Sequence, residues 1–205
     1  MILYKTIEKP AESEQVIERS RFIAHAKPVE TREAADDFIA EIKKKYKDAT
    51  HNVPAMVLGD KFQVQWASDD GEPQGTSGAP MVQMLVKEGI TNVVIVVTRY
   101  FGGIKLGTGG LVRAYTGSAG AVIKNAGVRE VKEVLLISVK IDYSILAKIQ
   151  SMAEDDFFSV ENILYEDVVT IDLQCDIENA DKLKTLISNV SGGKEKIVSE
   201  VKKNA

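Results

Sequence analysis

The sequence predicts an α+β protein of two α/β sandwiches, residues 1–127 and 128–205. Three observations carry this. A chain of 205 residues suits one large domain or two small ones. Strand-like and helix-like stretches alternate along its whole length. The pattern changes near Ala126–Glu130, and the residues beyond it form a closed β-α-β-β-α-β set.

In the first domain, residues 2–8 and 15–27 read as strands. TREAADDFIAEIKKKY (31–46) reads as a helix, with Thr31 as N-cap and Ala34, Ala35, Phe38, Ile39 and Ile42 as an apolar stripe. Lys43, Lys44, Lys45 and Lys47 crowd its end, where the helix dipole favours cations. Strands follow around 53–58 and 62–67, then a loop, SDDGEPQGTSGAP. Ala79–Lys87 reads as a helix. TNVVIVVT is a continuous apolar β-branched run, the mark of a strand buried on both faces. A helix runs from about Gly110 to Ala126. Its small residues Gly117, Ser118, Ala119, Gly120 and Ala121 suit close packing on a sheet.

In the second domain, Leu135, Ile137, Val139 and Ile141 alternate as a half-buried strand. Ile145, Leu146, Ile149 and Met152 follow helical spacing. FFSVENIL and VVTIDLQCDI are strands joined through Tyr165–Asp167. Asn179–Ser191 is a helix carrying Leu183, Leu186, Ile187 and Val190, stopped by Gly192 and Gly193. KEKIVSEV is the last strand. This order is the ferredoxin-like pattern. An RNA-recognition motif shares it but stacks bases on sheet aromatics. Here the outward face is Thr170, Asp172, Gln174 and Asp176, acidic and free of aromatics, so it suits packing or a protein partner better than RNA.

Composition narrows the function classes. No run approaches the ~20 apolar residues that span a bilayer, and the N-terminal segment lacks the layout of a signal peptide. Cys175 is the one cysteine, which excludes an internal disulfide and a cysteine-clustered zinc site. The expectation is a cytoplasmic protein with no membrane partner. Net charge is −4. Residues 1–128 carry 16 Lys and Arg against 15 Asp and Glu, and residues 129–205 carry 10 against 15. A polyanion therefore meets the first part more readily.

Two stretches carry chemistry. RYFGGIKLGTGGLVRAY (99–115) places Gly102, Gly103, Gly107, Gly109 and Gly110 between Arg99 and Arg113, after an apolar strand and at a helix start. Backbone N–H groups there converge on one spot, and the dipole adds positive potential. Arg99 and Arg113 supply charged forks aimed at one anion, Lys105 a point charge, and Thr108 a helix cap. The Lys-Ser/Thr ending of a P-loop is absent. The plain alternative is a tight crossover whose glycines serve packing. In ASDDGEPQGTSGAP (67–80), Asp69, Asp70 and Glu72 are weak candidates for magnesium, and equally suit turns and caps. GTSGA is not a nucleophile elbow. His25 and His51 each stand alone, His51 reading as a polar turn or hydrogen-bonding residue. Cys175 reads as a core thiol.

DDGEPQGTSGAPM, VVTRYFGGIKLGTGGLVRAY and the upstream ATHN resemble the IMPACT family, in its bacterial YigZ-type form, over the whole chain. After ATHN the family has a short aromatic-containing stretch where this chain reads VPAMVLG, so no role carries over to residues 53–56. The resemblance implies a first domain like a ribosomal small-subunit protein and domain IV of elongation factor G, and a second like that factor's domain V. It also implies a link to translation. Eukaryotic relatives restrain the amino-acid-starvation kinase of initiation factor 2, a pathway bacterial members lack. The preferred expectation is a non-enzymatic protein that binds RNA or the ribosome and bears on translation regulation. It needs no cofactor. Its anion seat is Arg99, Gly102, Gly103, Lys105, Gly107, Thr108, Gly109, Gly110 and Arg113. The alternatives are a metal-assisted hydrolase or phosphate-ester enzyme using residues 69–72 beside the glycine loop, and a protein-interaction module acting through the C-terminal sheet.

Overall fold

The computed structural model describes residues 2–154 and 157–204. The chain divides into two compact units, Tyr4–Glu130 and Met1–Leu3 with Val131–Ala205. The mixed α+β class read from the sequence holds in both.

The larger unit is built from β1 (Ile2–Ile7), β2 (Ala11–Ile17), β3 (Ser20–Pro28), α1 (Arg32–Lys45), β4 (His51–Leu58), β5 (Val64–Ala67), α2 (Gly78–Lys87), β6 (Val93–Tyr100) and α3 (Gly107–Ala126). Its sheet runs β2-β3-β6-β4-β5, with every neighbouring pair antiparallel. Helix α1 covers one face through Ala35, Phe38, Ile39 and Ile42, packed on Met56, Leu58, Val94 and Val96. Helices α2 and α3 cover the other over Val53, Ala55, Val57, Val93, Ile95 and Val97. Strand β6 thus buries alternate residues on opposite faces, which explains its unbroken apolar run.

Three local readings need correction. Residues 15–27 are not one strand. They form the hairpin of β2 and β3, turning at Glu18 and Arg19, whose φ values are 45° and 63°. A two-residue turn with both φ positive matches the twist of the flanking strands, but Glu-Arg lacks the Asn-Gly signal that usually announces it. Helix α3 begins at Gly107 rather than Gly110, and its N-cap is Leu106 with no side-chain cap, so Thr108 does not cap it. Thr31, by contrast, caps α1 by accepting from Ala34 N–H at 3.2 Å.

The smaller unit comprises β7 (Val128–Ile141), α4 (Tyr143–Glu154), β8 (Phe158–Tyr165), β9 (Val169–Asp176), α5 (Ala180–Ser191) and β10 (Lys196–Asn204). The antiparallel order β10-β7-β9-β8 is ferredoxin-like. Its core joins Leu135, Ile137 and Val139 to Ile149, Leu183 and Ile187. Strand β9 turns Val169, Ile171, Leu173 and Cys175 inward and leaves Thr170, Asp172, Gln174 and Asp176 half-buried. Burial pushes the Cys175 thiol up, and neighbouring Asp176 adds to it. It is a packing residue, in line with the sequence reading. Among the described residues no helix is long and apolar enough to cross a membrane.

Candidate functional site

Sheet register assembles the site. Strand β6 pairs Arg99 with Phe22 of β3 on one side and His51 of β4 on the other. Residues 53, 55 and 57 of β4 and 93, 95 and 97 of β6 face α2 and α3. The two-residue period of a strand carries His51 and Arg99 to that same face. The loop between β5 and α2 meets them there.

Arg99 is not a free cation. Its Nη1 donates to Glu72 Oε1 at 2.7 Å and its Nη2 to Ser20 Oγ at 3.2 Å. Tyr115 of α3 donates its hydroxyl to the same Glu72 oxygen at 2.7 Å. The Arg99 and Glu72 side chains are 5% and 3% exposed. The guanidinium lies over the rings of Phe22 and Phe101, 5.4 and 5.5 Å from their centroids. Its Nε–H is buried without an acceptor. Burial drives the Tyr115 hydroxyl far above its usual range, and the Glu72 carboxylate reinforces this.

The three acidic side chains diverge. Asp69 accepts from the Ser77 hydroxyl at 2.6 Å and from the backbone N–H groups of Gly75, Ser77 and Gly78, so it caps α2 from outside the helix. Burial raises its carboxyl, but those hydrogen bonds together hold it below the usual value. Asp70, at φ 47°, accepts from Lys43 Nζ at 2.6 Å and Asn52 N–H at 2.7 Å. Glu72 takes Arg99. No group of three or more His, Cys, Asp or Glu among the described residues is placed to hold a metal ion. Asp69, Asp70 and Glu72, the weak magnesium candidates, each accept from a different partner: Ser77 and the α2 N-terminus, Lys43 and Asn52, and Arg99 with Tyr115.

The glycines have separate tasks. A Cβ on Gly102 would sit 2.0 Å from the Arg19 carbonyl oxygen, so the loop passes directly over the β2–β3 turn. Gly107 has φ 69°, a region that side chains resist. Gly103 is exposed, and Gly109 and Gly110 lie in the first turn of α3. That turn has no acidic residue and no side-chain cap, which leaves its N–H groups open to an acceptor.

Between the two loops lies a cavity of about 450 Å³, lined by residues that include His51, Glu72, Arg99, Phe101, Lys105 and Thr108. Arg113 is exposed and lines a different cavity of about 430 Å³, with Glu18, Lys105 and Gly110. The two arginines thus do not share one cavity; Lys105 lines both. Sequence reasoning missed that His51 and Phe101 belong to this site, and that Glu72, Tyr115 and Ser20 hold Arg99. The motif ATHN was the one available signal for His51.

The Impact N-terminal domain matches residues 18–123, and a domain of unknown function, DUF1949, matches 139–194. IMPACT family member YvyE of Bacillus subtilis is 39% identical, over 95% of this chain and 89% of its own. IMPACT family member YigZ of Escherichia coli is 36% identical, over 66% and 68%. Protein IMPACT of Oryctolagus cuniculus is 33% identical, over 49% of this chain and 36% of its own. One solved crystal structure, of a hypothetical protein, aligns over 96% of both chains at 28% identity with a TM-score of 0.60. Both loops that wall the cavity fall inside the matched 18–123 region, and the chain that carries them belongs to the IMPACT family.

Proposed function

We propose that the protein binds RNA, through phosphate, at the cavity between the acidic and glycine-rich loops, in keeping with the link to translation that the family resemblance implies. One observation carries this reading: an uncapped helix N-terminus opens beside Lys105 and the exposed ring of Phe101. Cation, open N–H groups and an aromatic face are the parts from which single-strand binding is built. Arg99 keeps its charge on Glu72 and shapes the wall, so Lys105 and Arg113 supply the attraction. The N–H groups of Gly107, Thr108, Gly109 and Gly110 supply direction, and Gly102 and Gly103 let the loop turn.

Binding of a fluorescent single-stranded RNA should weaken steeply with salt. The double change Lys105→Ala with Arg113→Ala should lower the log–log salt slope by roughly 0.7 for each phosphate that is no longer neutralised, about equally across sequences. Wild-type protein that shows no affinity at low salt would sink the reading.

A further inference from the structure

We infer that the cavity takes the terminal phosphate monoester of an RNA strand in preference to an internal phosphodiester. This rests on the RNA-binding reading and adds which part of the strand is held.

His51 decides the matter. Its Nδ1 lies 2.8 Å from the Asp70 carbonyl oxygen. A carbonyl only accepts, so Nδ1 donates there and Nε2 is the ring nitrogen left for the cavity. Nε2 lies 3.8 Å from Glu72 Oε2, another acceptor. At 3.8 Å no hydrogen bond joins them, so Nε2 lacks a hydrogen-bond partner at the wall of the cavity. The surrounding charges are already committed. Lys43 and Asn52 N–H hold the Asp70 carboxylate, and Arg99 and Tyr115 hold Glu72 Oε1.

A terminal phosphate supplies what is missing. Near neutral pH it exists as a mixture of monoanion and dianion. The monoanion donates its P–OH to Nε2. The dianion accepts from Nε2–H of the imidazolium, whose added proton comes from buffer acid in the bulk solvent. In both cases one proton is shared between Nε2 and the ligand. A diester has neither the hydroxyl nor the second charge.

A second observation concerns the same wall. Arg99, 5% exposed, lines the cavity with its Nε–H unpartnered, a buried donor facing a deficit of acceptors. Shape agrees. Gly71–Pro73 bound one side, residues 105–108 the other, and buried Leu111, Glu72 and Arg99 stand among them. About 450 Å³ is modest for a ligand pocket and suits one nucleotide, with its base on Phe101. A terminal nucleotide needs one exit for the chain, and an internal one needs two.

The test measures the full chain against RNA oligonucleotides of one sequence bearing a 5′-phosphate, a 3′-phosphate or neither, at fixed salt. One phosphorylated form should bind about tenfold tighter than the bare strand, the size of one charge-assisted hydrogen bond. His51→Asn should bring that ratio to about one. Equal affinity for all three strands overturns the inference and leaves the RNA reading standing. No affinity for any overturns that reading itself. A preference that survives His51→Asn overturns the role of His51.

Discussion

The two units of this chain bury different things. Within the described residues, every buried polar or charged side chain belongs to the larger unit, from Thr6 to Ser118. The ferredoxin-like unit buries aliphatic side chains, Phe158 and the Cys175 thiol. Desolvated polar groups are costly unless each finds a partner, so a fold selected for stability alone has little reason to keep them. In the larger unit Ser20, Glu72 and Arg99 join one network beside the acidic loop and α3, and Thr6, Thr91 and Asn92 form another around Gly59. Two ring or guanidinium nitrogens of this unit, His25 Nε2 and Arg99 Nε, lack a hydrogen-bond partner. The contrast is in what each unit buries: polar networks in the larger, an apolar core in the smaller.

The largest test of this contrast is Glu72→Ala. It leaves the Arg99 guanidinium buried with no counter-charge, a change that costs about 3–5 kcal/mol. The sole tryptophan, Trp66, lies in the larger unit, so its fluorescence should report the loss in denaturant titration. The smaller unit, followed by hydrogen exchange, should keep its protection. Loss of protection in both together would mean that the units fold as one.

The reciprocal change, Leu173→Ala, removes a fully buried side chain from the smaller core and should cost about 2–5 kcal/mol there. Trp66 fluorescence should not shift its midpoint. Thr31→Ala removes the α1 cap and should lower the stability of the larger unit by about 1 kcal/mol, read from the same Trp66 transition. The smallest effect near neutral pH concerns His25. Burial holds its ring below the usual imidazole value, against the opposing pull of Glu12. The folded state therefore binds the proton less readily than the unfolded chain. Its contribution is complete above the unfolded pKa of about 6.5 and is lost as pH falls from there toward the depressed folded value. His25→Gln should flatten the acid side of the stability profile, and an unchanged profile would remove His25 from the account.

Most elements were legible because their signals are local. The α1 stripe and its Thr31 cap, the apolar run of β6, the alternation of β9 and the Gly192 stop of α5 each rest on residues close together in the chain. The β2–β3 turn escaped because Glu18 and Arg19 adopt positive φ without the usual residues. Its neighbour Gly102 lies more than 80 positions away in the chain and passes over it.

The site divides along the same line. Glycines at a strand-to-helix crossover, and an acidic loop before a helix, could be named from the chain alone, as could a cation at Lys105. Which charges stay free could not. Arg99 looked like an anion ligand, and the fold gives it to Glu72, 27 residues earlier. His51 looked like an isolated turn residue, and β4–β6 register sets it opposite Arg99. Periodicity and turn chemistry act between near neighbours, where backbone geometry dictates the contacts. Ion-pair partners are set by strand register across long separations, where a one-residue slip would turn either side chain to the opposite face.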